Sequence, residues 1–182
     1  MPNAILDPTG RAADAAASSL SALAPRPADL TGLRVGLLDN TKHNALLFLR
    51  EVGSLLVSEH GVAEVSIVET KANFSVPVDE SIVARYAREC DVVVIGVGDC
   101  GSCSAAAVAD GINFERAGLP AAVVLTDAFL STGRMMAEVQ GAPDYEWITT
   151  RHPMASLTPD EVRTRAEGLL PQIVGTLAKA AA

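Results

Sequence analysis

The run Val92-Val93-Val94-Ile95 constrains the fold of this chain more than any other stretch. Successive side chains of a strand point to opposite faces, so an unbroken run of branched apolar residues needs cover on both sides. Strands of that kind belong to parallel sheets with helices packed above and below.

The rest of the chain alternates in the same sense. Leu33–Asp39 reads as a first strand, and Asn44–Glu59 as a helix in which Leu46, Phe48, Leu49, Val52, Leu55 and Leu56 recur near helical period. Gly61 ends that helix. Val65–Glu69 is a second strand, followed by a helix over Asp79–Glu89 with Asp79 near its cap and Ile82, Val83 and Tyr86 on one face. Val92–Val97 is the third strand, Ser104–Arg116 a helix closed by Gly118, and Pro120–Leu125 the fourth strand with proline at its first residue. Ala128–Val139 is a helix and Tyr145–Thr149 the fifth strand. Thr158-Pro159-Asp160-Glu161 opens the last helix with a capping box, and Pro171 is expected to kink it. The pattern predicts a three-layer α/β domain around a five-stranded parallel sheet, flavodoxin-like, in the order 2-1-3-4-5.

Residues 1–30 differ in composition. Leu6-Asp7-Pro8-Thr9-Gly10 reads as a turn, Arg11–Ala24 as a weak Ala- and Ser-rich helix, and Pro25 and Pro27 break it. We read residues 1–30 as an N-terminal arm, mobile, partner-bound or packed, and residues 31–182 as a single α/β catalytic domain. A homo-oligomer is one of the partner readings the sequence leaves open. The formal net charge of −8 argues against nucleic-acid binding, which needs basic patches. No uninterrupted apolar segment approaches the roughly 20 residues of a membrane span. The first residues lack a basic leader and an apolar core, and three cysteines, two of them in one turn, suit a reducing cytoplasm.

If the strands are placed correctly, their carboxyl ends collect the reactive residues on one rim. Asp39, Asn40, Thr41, Lys42 and His43 follow the first strand, Lys71 and Asn73 the second, Asp99, Cys100 and Cys103 the third, Thr126 and Asp127 the fourth, and Arg151 and His152 the fifth. A Cys-x-x-Cys pair at a helix start faces unpaired amides and the positive end of the helix dipole, which favour a thiolate. Asp99 and His152 are candidates for proton transfer. Lys42 could bind a substrate carboxylate, with Asp39, Asn40, Gly101, Ser102 and Thr126 as further substrate contacts. Each has a plainer alternative: a packed thiol, a solvated lysine, a loop histidine, or a helix cap for Asp39, Asn40, Thr126 and Asp127. Cys90 reads as a core residue. Gly96-x-Gly98-x-x-Gly101 fits a dinucleotide loop only by letter, since cysteine stands at the pyrophosphate turn. A structural zinc site would show a second ligand pair, so no metal and no cofactor is expected.

At these residues the chain resembles the UGSC-motif family of selenocysteine-or-cysteine proteins, with Cys100-Gly101-Ser102-Cys103 as the all-cysteine form. The resemblance extends to Leu6-Asp7-Pro8-Thr9-Gly10, Leu38-Asp39-Asn40-Thr41-Lys42, Gly98-Asp99, Glu115-x-x-Gly118-x-Pro120 and His152-Pro153. Ala105-Ala106-Ala107 departs from it, where a bulkier and more polar run is expected. The layout is also similar to the selenoprotein B subunits of glycine, sarcosine and betaine reductases. The resemblance implies Cys100 as nucleophile and Cys103 as resolving thiol, because interchange of selenium and sulfur at one position points to chemistry. The expectation is a thiol-dependent enzyme, an oxidoreductase or a lyase or transferase. It would act on a small, carboxylate-bearing molecule and be recycled, where the reaction is reductive, by a thiol or dithiol. Two other readings stay open: a cofactor-independent racemase, isomerase or lyase of the aspartate/glutamate racemase kind, and a receiver-like binding module built on Asp39, Asp99 and Thr126.

Overall fold

A computed structural model of the chain describes residues 23–179. Its strands are β1 (Arg34–Asp39), β2 (Glu64–Thr70), β3 (Val92–Gly98), β4 (Ala121–Thr126) and β5 (Ile148–Thr150). Its helices are α1 (Ala45–His60), α2 (Glu80–Glu89), α3 (Gly101–Arg116), α4 (Leu130–Val139) and α5 (Pro159–Leu177). The sheet runs β2-β1-β3-β4-β5, parallel throughout, as the apolar strand pattern predicts.

Side-chain alternation divides the core into two layers. Val35 and Leu37, Val92 and Val94, and Ala122 and Val124 face α1 and α5, where Phe48, Leu49, Val52 and Leu56 meet Val162, Ala166, Leu170 and Ile173. Leu38, Val93, Ile95, Ala121, Val123 and Leu125 face α2, α3 and α4, against Val83, Tyr86, Ala107, Ile112, Phe114 and Ala137. Two cores on one sheet make the three-layer architecture, and they require β3 to be apolar on both sides.

Several boundaries differ from the sequence reading, each for a local reason. The fifth strand is shorter than Tyr145–Thr149. Tyr145 and Trp147 pack under the α3–α4 face, and only Ile148–Thr150 pairs with β4. Helix α3 starts at Gly101 rather than Ser104, because Cys100 caps it. One turn of 3-10 helix, Asp127–Phe129, precedes α4. Helix α5 contains Pro171 within its span, as the sequence reading places it. Its capping box forms as expected, with Thr158 Oγ1 accepting from Glu161 N and Glu161 Oε2 accepting from Thr158 N.

The proposed arm divides as well. Leu6–Gly10 and nearly all of Arg11–Ala24 lie outside the described residues, and Leu23 and Ala24 are not helical. Residues 23–30 are bound to the domain. The Glu115 side chain is 0% exposed. It accepts from Ala24 N (2.7 Å), from both terminal nitrogens of Arg26 (2.7 and 2.8 Å) and from Ala121 N (2.9 Å). Lys179 N donates to Pro27 O. This clamp lies at the amino edge of the sheet, beside the start of β4. Gly118 turns the chain there at a φ of +80°, a conformation that favours glycine. The Glu115-x-x-Gly118-x-Pro120 segment is thus architecture.

Candidate active site

The carboxyl end of β3 lies between β1 and β4 and feeds directly into α3. Gly98 makes this possible. A Cβ on it would stand 2.7 Å from Ser104 Oγ and 3.0 Å from Ser104 Cα, and would collide with Leu125, so only glycine lets the first turn of α3 lie this close to the sheet. The Gly96–Val97 and His152–Pro153 peptide bonds are cis.

Cys100 is the N-cap of α3, with extended backbone (φ −157°, ψ 167°), and its Sγ accepts from Cys103 N at 3.4 Å. A sulfur therefore occupies the place of the usual capping oxygen. Cys103 Sγ lies 3.2 Å from Cys100 O, and Ser104 N donates to the same carbonyl at 3.0 Å. The two Cα atoms are 5.4 Å apart and the two sulfurs are joined as a disulfide. The two cysteines differ in access. Cys100 is half-buried, whereas Cys103 is 0% exposed. Gly101 and Ser102 present N–H groups that have no partner inside the helix. Cys90 is a contrast, since burial against the α2–α3 layer pushes its thiol up to about 11.

Asp99 and His152 meet. Asp99 Oδ1 lies 2.8 Å from His152 Nδ1, off the ring N–H direction, with only 2% of the Asp99 side chain exposed against 37% for His152. Asp99 Oδ2 accepts from Met154 N (3.1 Å) and Ala155 N (3.0 Å), which ties the β5–α5 loop to β3. Asn44 Nδ2 donates to Met154 O and Leu157 O, and His43 Nδ1 bonds Ala155 O, so the β1–α1 loop holds the same segment.

The remaining candidates separate by what they touch. Thr126 is buried, and its hydroxyl lies between Gly98 O and His152 Nδ1, each at 3.2 Å. Its partner is thus the histidine. Asp39 is buried, accepts from Thr70 Oγ1 (2.9 Å) and Thr41 N (3.0 Å), and burial holds its carboxyl above the usual range against those two bonds. Asn40 is fully buried, and neither polar atom of its side chain has a partner among the described residues. Lys42 is half-buried, and its ammonium has no partner among the described residues. Lys71 is buried and spent on Asp110 at 2.5 Å, and Asn73 bonds Ser75 in the exposed β2–α2 loop.

Two contributors escaped the sequence reading, and a third was placed on the rim without its partner. Asp127 Oδ1 accepts from His152 N at 3.0 Å; its position at a strand end was visible, its partner was not. Phe129 stands edge-on to the His152 ring, centroids 5.4 Å apart, from a 3-10 turn with no periodic signal. Ser104 Oγ is buried without a partner beside Gly98.

Fold and site together define a parallel α/β protein with a Cys-x-x-Cys pair at the topological switch point of its sheet and a carboxylate-held histidine beside it. Among the described residues no helix is long and apolar enough to cross a membrane. The model of the UGSC family matches residues 4–179, and the chain belongs to that family. No curated protein and no solved structure matches it.

Proposed function

We propose that the chain is a thiol-dependent enzyme in which Cys100 attacks a small, carboxylate-bearing substrate and Cys103 resolves the adduct. The observation that carries this reading is the asymmetry of the pair: a half-buried sulfur capping a sixteen-residue helix, and a fully buried sulfur one turn behind it. The helix dipole and the amides of α3 favour negative charge at the first sulfur. The second can be reached only from the first, as a resolving thiol requires. The Lys42 ammonium, without a partner among the described residues, and the N–H groups of Gly101 and Ser102 suit a substrate carboxylate, with Asn40 at the same edge.

In the first step the Cys100 thiolate forms a bond to the substrate, and the leaving atom departs with its electron pair and a proton. In the second, the Cys103 thiolate attacks Cys100 Sγ, a disulfide forms, and the remaining fragment leaves with the bonding pair and takes a proton. The substrate gains two electrons from the two thiols. A dithiol reductant then restores the pair by exchange, which suits a reducing compartment such as the cytoplasm.

The test uses Cys103→Ser, which removes the second step. Exposed to cell extract, this variant should gain a discrete mass on Cys100 that the wild type does not keep and Cys100→Ser never acquires. If Cys100 instead reacts with iodoacetamide no faster than the buried Cys90, and no adduct accumulates, the reading is wrong.

A further inference from the structure

We propose that residues 11–22 of this chain dock along the outer side of α5, in a groove beside the edge strand β5. The proposal stands apart from the chemistry at Cys100.

Two cavities mark the groove. One, of about 530 Å³, is lined by Glu161, Thr164, Arg165 and Gly168 of α5 with Leu157 before it. The other, of about 490 Å³, is lined by Gln172, Gly175 and Thr176 of the same helix and by Trp147 and Ile148 at the start of β5. Positions 161, 164, 168, 172 and 175 fall three or four residues apart, so the two cavities lie end to end on one side of α5. The opposite side carries Val162, Ala166, Leu170, Ile173 and Leu177 into the core. A Cβ added at Gly168 or Gly175 would meet nothing within 4 Å, so the helix backbone is open to close approach at both places. The strand next to this groove is the last of the sheet, and open sheet edges in native proteins are commonly covered by a further segment of chain.

The occupant follows from where the described chain begins. Leu23 lines the second cavity and is 51% exposed, and Arg26 Nε donates to Thr176 O at 2.9 Å, so the chain enters the domain at one end of the groove. Residues 1–22 extend from that point. The sequence reads Arg11–Ala24 as a weak Ala- and Ser-rich helix, and at helical spacing Ala13, Ala16, Ala17 and Leu20 share one side. Such a seam of mostly small side chains suits a helix whose own outer side is bare at two glycines. From Arg11 to Leu23 a helix rises about 18 Å, the same as α5 from Thr164 to Thr176, so the segment matches the span of the two cavities. A weak helix also has most to gain from a partner, because helical stability in proteins comes chiefly from packing an apolar face. The course leads from the amino edge of the sheet toward Leu157 and the β5–α5 loop that Asn44 and Asp99 hold.

Amide hydrogen exchange of the full-length chain, read by mass spectrometry, tests the dock. Residues 11–22 should exchange at least about 10-fold more slowly than the same sequence as a free peptide, and equally so at low and high protein concentration. In the double variant Gly168→Leu with Gly175→Leu, which fills the groove from α5 without touching the core, that protection should be lost while protection of β3 stays as in the wild type. Leu20→Glu changes no residue of the domain and should release the segment in the same way; should the double variant lose protection of β3 as well, Leu20→Glu decides alone. Exchange of residues 11–22 at the free-peptide rate in the wild type overturns the proposal. So does protection that survives the substitutions, which would put the segment elsewhere. Protection that appears only as the concentration rises, together with a dimer in sedimentation, gives the face to a second copy and overturns it too.

Discussion

Glu115 decides whether a segment shared with the family's motif layout serves chemistry or architecture, and Glu115→Gln tests it. Its side chain is 0% exposed and its two oxygens accept four hydrogen bonds, from Ala24 N and Arg26 Nη1 on Oε2, and from Arg26 Nη2 and Ala121 N on Oε1. Whichever way the glutamine amide is turned, its NH2 faces two donors, and the largely buried Arg26 loses its counter-charge. Breaking one partner of a buried ion pair costs about 3–5 kcal/mol. For a chain of this size that lowers the melting midpoint by roughly 10 °C. The assay is thermal unfolding followed by circular dichroism, run beside Arg26→Met and the double variant. The double variant should be less damaged than the sum of the singles, since it removes the stranded charge. The clamp sits at the amino edge of the sheet, so iodoacetamide labelling of Cys100 in folded Glu115→Gln should match the wild type. A midpoint within about 2 °C of wild type, or a labelling rate that falls in the folded variant, would refute the assignment of this segment to architecture.

Two further outcomes follow from the site. Gly98→Ala should destabilise by about 1–3 kcal/mol in a denaturant titration and slow labelling at Cys100, because the new methyl group meets Leu125 and the first turn of α3; unchanged stability would show that α3 can move off the sheet at little cost. Asp39→Asn should gain on the wild type as the pH rises. Burial raises the Asp39 carboxyl above its ordinary value of 3.8, so its contribution is fully present below that value and is lost as pH climbs through the raised one. The midpoint difference should therefore shift toward the variant between about pH 4 and about pH 8, and a shift the other way would contradict a carboxyl held at a cost.

How far the sequence reaches can be judged from particular residues. Val92-Val93-Val94-Ile95 determined a strand buried on both faces, and with the other apolar runs it determined the parallel sheet and its layers. The reason is that burial of alternating side chains is a local property of the pattern. Cys100-x-x-Cys103 at the end of such a strand likewise placed two thiols at a helix start. Tyr145 and Trp147 misled, because aromatic residues suit a strand and a packed loop equally, and only contact with α3 and α4 separates the two.

What only the tertiary structure decided are the pairings between loops far apart in the chain. That Asp99 reaches His152, that Thr126 turns to the same ring, that Lys71 is consumed by Asp110 while Lys42 has no partner among the described residues, and that Glu115 holds Arg26 all depend on which segments the fold brings together. Hydrogen bonds and ion pairs act over a few ångströms and leave no periodic trace along a chain, whereas hydrophobic burial does. The sequence by itself therefore determined the frame and the place of the Cys-x-x-Cys pair, and the fold decided which neighbours that pair has.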